Sequence, residues 1–163
     1  MRIRKMILIF SIIAIITSIV LLSNDIYKDY YVDSKMKDLV YNYINKKDYE
    51  NNDLKGVIEI PSINLKTGIV DNVDKGLVFV NENLIAGHSG NCKVCYFDKL
   101  DNLEIGDNVY LYLDHEIEYK VDTIKEVDKN HVYINGDLNL ITCKKSDKDR
   151  RIIIVLKKMR EKV

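Results

Sequence analysis

The chain is 163 residues long, 47% hydrophobic and 31% charged, with a single proline. That is the composition of a folded protein and excludes disorder as the default state. Twenty-five basic and 25 acidic side chains cancel to a formal net charge of zero, and no basic stripe interleaved with aromatics argues for nucleic acid.

Arg2, Arg4 and Lys5 precede an uncharged run at residues 6–22. Seventeen helical residues reach ~25 Å, the short end of what crosses a bilayer. A cleaved signal peptide is the competing reading. The apolar part is longer than a usual signal core, and Leu21-Leu22-Ser23-Asn24 offers no small-x-small cleavage pattern, so an uncleaved anchor is expected. The basic flank keeps the N-terminus in the cytoplasm and sends everything from Asp25 onward outside. Residues 1–24 therefore read as a cytoplasmic tip and single-pass transmembrane anchor.

Residues 25–54 read as a helical stalk and linker. Ile26, Tyr27, Tyr30, Tyr31, Met36, Leu39, Val40, Tyr43 and Ile44 recur at spacings of three and four. Asp33 or Ser34 would cap a second helical segment. The tyrosines are expected to be packing residues, and the polar stretch at 45–53 has no periodicity and marks the linker.

From Lys55 the period becomes two. Strands are expected at 56–60, ending at Pro61, and at 65–70, 76–80 and 84–88, the last finishing on His88. Residues 96–103 would make a helical turn. A further strand at 108–113 turns at Asp114-His115 into the alternating run around Ile117, Tyr119 and Val121. Strands at 138–142 and 151–156 complete a set of about eight. The fold class is mostly β: residues 55–163 form an eight-stranded, closed or nearly closed β-barrel with short helices, preceded by the transmembrane helix and stalk.

Chemistry concentrates late in the chain. Leu138-Asn139-Leu140-Ile141-Thr142-Cys143 is a short run, read as alternating in exposure, that ends on a thiol at a sheet edge. Arg150 and Arg151 open the next strand. A thiolate is a nucleophile, the His88 imidazole can protonate a leaving amine, and a guanidinium can hold a carbonyl oxygen or developing oxyanion. Those are the parts for acyl transfer through a thioester. The structural alternatives are that Cys143 is a small buried hydrophobe and His88 a hydrogen-bonded structural residue.

The cysteine run and the arginine opening a β-branched strand resemble the signature of the sortases, bacterial surface cysteine transpeptidases. Leu84-Ile85-Ala86-Gly87-His88-Ser89, Tyr96-Phe97-Asp98-Lys99-Leu100 and Glu104-Ile105-Gly106-Asp107 are similar to that family's histidine loop and following turn. Gly56-Val57-Ile58-Glu59-Ile60-Pro61-Ser62-Ile63-Asn64 resembles its opening strand. The resemblance implies Cys143 as nucleophile, His88 as acid and base, and Arg151 as carbonyl and oxyanion holder, because Ile152-Ile153-Ile154-Val155 follows it directly. Arg150 is the fallback, and Thr142 a supporting residue. Only one of two consecutive arginines in a strand can face the thiol.

The implied partners are surface proteins bearing a sorting signal of the Leu-Pro-x-Thr-Gly kind, and an amine acceptor, either a cell-wall precursor peptide or a pilin lysine. No cofactor and no metal is expected. The short connection at 129–137 departs from the family, as does Cys92-Lys93-Val94-Cys95. Three cysteines leave at least one thiol unpaired within the chain. The pair at 92 and 95 reads as a disulfide in an oxidising exterior, a redox couple, or half of a zinc site with His88 and Cys143. The alternatives to a transpeptidase are an anchored cysteine hydrolase, a surface thiol redox or metal-binding protein using Cys92 and Cys95, or a non-catalytic binding module. His115, His131, Asp71, Asp74 and Glu82 are taken as solvated.

Overall fold

The computed structural model describes residues 2–45, 54–90, 92 and 94–162, so the linker expected at 45–53 lies, apart from Asn45, outside the described residues. The chain divides into two units, residues 1–35 and 36–163.

One uninterrupted helix, α1 (Arg2–Asn45), replaces the two helical segments expected from Asp33 or Ser34. The reason is local. An N-cap needs a break in the preceding ladder, and residues 2–45 contain neither Gly nor Pro to interrupt the i→i−4 bonds that follow the first turn. In the first unit Ile7, Ile9, Phe10, Ile13, Ile16 and Leu21 are exposed. Ser11, Thr17 and Ser18 turn their hydroxyls back onto carbonyls three or four residues earlier, at 2.7–3.0 Å, which satisfies them within the helix. Tyr27, Tyr30 and Tyr31 are exposed rather than packed. Among the described residues no helix is long and apolar enough to cross a membrane.

In the second unit the end of α1 turns Met36, Val40 and Tyr43 inward against Leu54 and Val57. Spacings of four and three put these side chains on one helix face. Tyr43 is thus a packing residue, as its spacing predicts.

Eight strands follow: β1 (Gly56–Ile60), β2 (Leu65–Ile69), β3 (Val78–Asn81), β4 (Leu84–Ala86), β5 (Asn108–Tyr112), β6 (Glu116–Asp128), β7 (Leu138–Lys144) and β8 (Asp147–Lys162). Short 3-10 turns occupy Pro61–Ile63 and Leu100–Asn102. The spatial order is β2-β1-β5-β6-β8-β7-β4-β3. A bridge between Ile69 and Leu77 brings the two ends together, giving the nearly closed barrel expected. Ile58, Ile60, Leu77, Ile85, Phe97, Leu100, Leu138, Leu140, Ile154 and Leu156 are fully buried in its core. Burying such a side chain contributes about 1.5–3 kcal/mol.

The largest departures from expectation lie in β6 and β8. Where strands were expected only at 138–142 and 151–156, β7 runs to Lys144, Lys145 and Ser146 make a tight turn, and β8 starts at Asp147. The polar ends of these strands have no apolar period to reveal them. Cross-strand charge supports them instead: Lys162 Nζ lies 2.7 Å from Glu116 Oε1, and Lys144 Nζ 2.6 Å from Glu126 Oε2. The start of β7 shows no alternation, because Leu138, Asn139 and Leu140 are all buried. The preceding connection runs over the outer face, so close that a Cβ on Gly136 would stand 2.6 Å from Val155 Cγ1.

Candidate active site

The β7–β8 ladder pairs Cys143 directly with Arg151. Directly opposed residues in an antiparallel pair share a face, with Cβ atoms about 4.5–5.5 Å apart. Arg150 therefore takes the other face, where its Nε donates to Glu126 Oε1 at 3.0 Å. The register thus sets Arg151, the arginine preferred from the resemblance, on the sheet face of Cys143, and Arg150 on the opposite one. Arg151 is held locally: its Nη1 donates to the carbonyls of Lys148 and Arg150, at 2.8 and 3.0 Å.

His88 arrives from the other side. β4 is parallel to β7, with Ala86 level with Ile141. The strand ends there, two residues short of the expected His88, but its tether continues. The Gly87 N–H donates to the Ile141 carbonyl at 3.2 Å, and Thr142 Oγ1 donates to the Gly87 carbonyl at 2.8 Å. Beyond His88, Ser89 Oγ donates to the carbonyl of Cys143 itself. The backbone on each side of His88 is thus pinned to the last residues of β7. On the far side, the Phe97 N–H donates to the His88 carbonyl at 3.1 Å.

Gly87 is required here by space. A Cβ would lie 2.3 Å from Leu77 Cδ2 and 2.9 Å from Phe97 Cδ2, so any side chain would push the histidine segment off the core.

Cys143 is a half-buried free thiol, whereas Cys92 and Cys95 form a disulfide. With that pair bonded, neither sulfur is a free thiolate that could join His88 and Cys143 around a metal in this structure. Among the described residues no group of three or more His, Cys, Asp or Glu side chains is placed to hold a metal.

Four groups taken as solvated have partners, Asp71 with Lys55 at 3.6 Å and His131 with Asp128 at 3.7 Å among them. Asp74 Oδ1 stands 3.5 Å from His88 Nε2, although its side chain is 83% exposed. His115 lies between Asp114 at 2.5 Å and Glu161 at 2.6 Å, where the hairpin tip meets the end of β8. His131 remains at the surface, as expected.

Sequence reasoning missed Ser89, Asp98 and Lys145. The partner of Ser89 is a backbone carbonyl 54 positions away, and no local spacing encodes such a contact.

A single free thiol faces an arginine across an antiparallel ladder, with a histidine loop tied alongside, on a nearly closed β-barrel: this defines a cysteine enzyme of the acyl-transfer type. The Sortase domain model matches residues 58–159, and the chain belongs to the sortase family, the extracytoplasmic, membrane-associated cysteine transpeptidases of the cell wall. Sortase A of Bacillus anthracis is 27% identical over 195 residues, covering 90% of this chain and 92% of that protein. Among solved structures, sortase C-1 from Actinomyces oris superposes with a TM-score of 0.60 at 19% identity, over 68% of this chain and 75% of that one. Listeria monocytogenes sortase A does so at 0.57 and 21%, over 68% and 90%. Streptococcus pneumoniae sortase C gives 0.57 and 26%, over 73% and 74%.

Proposed function

We propose that Cys143, His88 and Arg151 carry a transpeptidation that cleaves a sorting signal of the Leu-Pro-x-Thr-Gly kind and passes the acyl group to an amine. The observation that carries this reading is the direct pairing of Cys143 with Arg151 on one sheet face.

The Cys143 thiolate attacks the threonine carbonyl carbon, and its electron pair forms the new C–S bond. Arg151 stabilises the negative oxygen of the tetrahedral intermediate. As the C–N bond breaks, His88 gives its proton to the departing glycine amine, leaving an acyl thioester. An incoming amine then loses a proton to His88 and forms the new amide, and the C–S bond breaks to return the thiolate. Thr142 supports the site by holding the Gly87 carbonyl beneath the histidine loop.

The acceptor is a cell-wall precursor peptide or a pilin lysine. The uncharged run at 6–22 anchors the enzyme in the membrane with its N-terminus in the cytoplasm. Exposed Ile, Leu and Phe side chains in this part of α1, with hydroxyls satisfied internally, support that placement.

The test is mass spectrometry of the purified protein after incubation with a library of sorting-signal peptides, with and without added amine. An acyl adduct on Cys143 that moves to the amine is expected. Transfer by Cys143→Ala at the wild-type rate, or products formed only with water, would sink the proposal.

A further inference from the structure

The two strands that bring His88 and Cys143 together stop pairing before either residue: the parallel β4–β7 register ends at Ala86 and Ile141. What keeps the reactive residues level beyond that point is a small set of side-chain contacts. Thr142 holds Gly87 on the near side. On the far side are two contacts that family resemblance does not supply. Ser89 Oγ donates to the Cys143 carbonyl. The Asp98 carboxylate accepts from the Gly90 N–H at 3.1 Å and pairs with Lys145 Nζ at 3.1 Å, both through Oδ1.

The Asp98 contacts link like positions on the two arms, while Ser89 reaches the nucleophile's own carbonyl. Ser89 and Gly90 are one and two residues past His88, and Lys145 is two residues past Cys143. Asp98 reaches back because its loop is folded on itself. The Cys92–Cys95 disulfide closes it, the Asp98 N–H donates to the Cys95 carbonyl at 3.0 Å, and the Phe97 N–H donates to the His88 carbonyl.

Resting on the roles assigned above to His88 and Cys143, we propose that Ser89 and Asp98 are positioning residues: together they latch the histidine loop to the cysteine hairpin and set the imidazole's reach to the thiol. Neither acts on substrate. Ser89 restrains the nucleophile's own peptide unit, whose carbonyl would otherwise lose its partner in a part-buried position. Asp98 uses a backbone N–H on one arm and an ammonium on the other, so it couples the two arms more than it stabilises either.

Misplacement of reacting groups by about 1 Å costs on the order of 100-fold in rate. Loss of the Ser89 hydroxyl is therefore expected to lower kcat about 10- to 100-fold with KM changed less than about 3-fold. Ser89→Thr keeps the hydroxyl and restores kcat to within a few-fold. Asp98→Ala, which loses both partners, falls about 10-fold, and Asp98→Asn, which keeps an acceptor for the Gly90 N–H, falls less.

The experiment measures kcat and KM per folded molecule for Ser89→Ala, Ser89→Thr, Asp98→Ala and Asp98→Asn, with Cys143→Ala alongside. A structural role alone would lower the melting temperature and the folded fraction, leaving kcat per folded molecule unchanged. Wild-type kcat in folded Ser89→Ala, or no rescue by Ser89→Thr, overturns the latch. If Ser89→Ala does not fold, the two Asp98 variants decide, and equal kcat in both overturns it. Activity retained by Cys143→Ala overturns the underlying assignment instead, so the two failures are distinguishable.

Discussion

Cys143 and Arg151 are directly paired residues of neighbouring antiparallel strands, so their side chains leave the sheet on the same face, while Arg150 is tied to Glu126 on the other. The two arginines are therefore not interchangeable. Arg151→Ala is expected to lower kcat/KM by about 10²–10³, the cost of removing one oxyanion partner. Arg150→Ala stays within a few-fold. A steady-state comparison of the two variants checks this, and the opposite ranking would move the site to the other face.

Gly87 sits against Leu77 and Phe97 with no room for a methyl group. Gly87→Ala is expected to destabilise the fold by about 1–3 kcal/mol, the usual cost of overpacking a core. It also displaces His88, one residue on. Chemical denaturation and a peptide-transfer assay on the same preparation report the two losses, and a fully active, fully stable variant would contradict the packing.

The Cys92–Cys95 disulfide closes a loop beside the site without touching the thiol count at Cys143. Replacing both cysteines with serine should keep most of the transpeptidation and cost at most about 2 kcal/mol of stability, given the short ring closed. A surface redox protein would lose its activity in that variant and keep it in Cys143→Ala, which is the reverse pattern.

Glu126 is held below the ordinary carboxylate value of 4.5, chiefly by its hydrogen bond with Lys144 and further by the Lys144 charge and Arg150. In the folded chain it gives up its proton more readily than in the unfolded chain, so its contribution to stability is present above about pH 4.5 and is lost as pH falls through the folded value. Glu126→Gln should lower the melting temperature at neutral pH, where the ionised carboxylate contributes, and flatten the acid limb of the profile, where wild type loses that contribution. Because Glu126 also restrains Arg150, a thermal scan across that range reports on the base of the β7–β8 hairpin.

Much of the barrel is readable wherever one strand face is apolar. Ile58 and Ile60, Val109 and Leu111, and Ile117, Tyr119 and Val121 alternate as buried strands must, and each lies in the core. Pattern reading failed where burial is not one-sided. The ends of β6 and β8 carry charges on both faces and are supported by cross-strand ion pairs, and the start of β7 is covered on both faces, so neither shows a period of two. The helix break predicted at Asp33 or Ser34 failed for a related reason: polar residues suited to a cap do not stop a helix that has no glycine or proline to break its ladder.

By itself the sequence determined the chemical inventory, a cysteine ending one strand, a histidine following another and two arginines opening a third, because local apolar periodicity places residues on strands. It also determined the odd thiol and the uncharged N-terminal run. The direct pairing of Cys143 with Arg151, how far β4 travels beside β7, and which hydroxyl and carboxylate hold the histidine loop were decided only by tertiary structure. Those are matters of register between segments up to 55 residues apart. A shift of one residue would send every side chain to the opposite face, and only the packed barrel selects the register that puts Cys143, Arg151 and the His88 loop together.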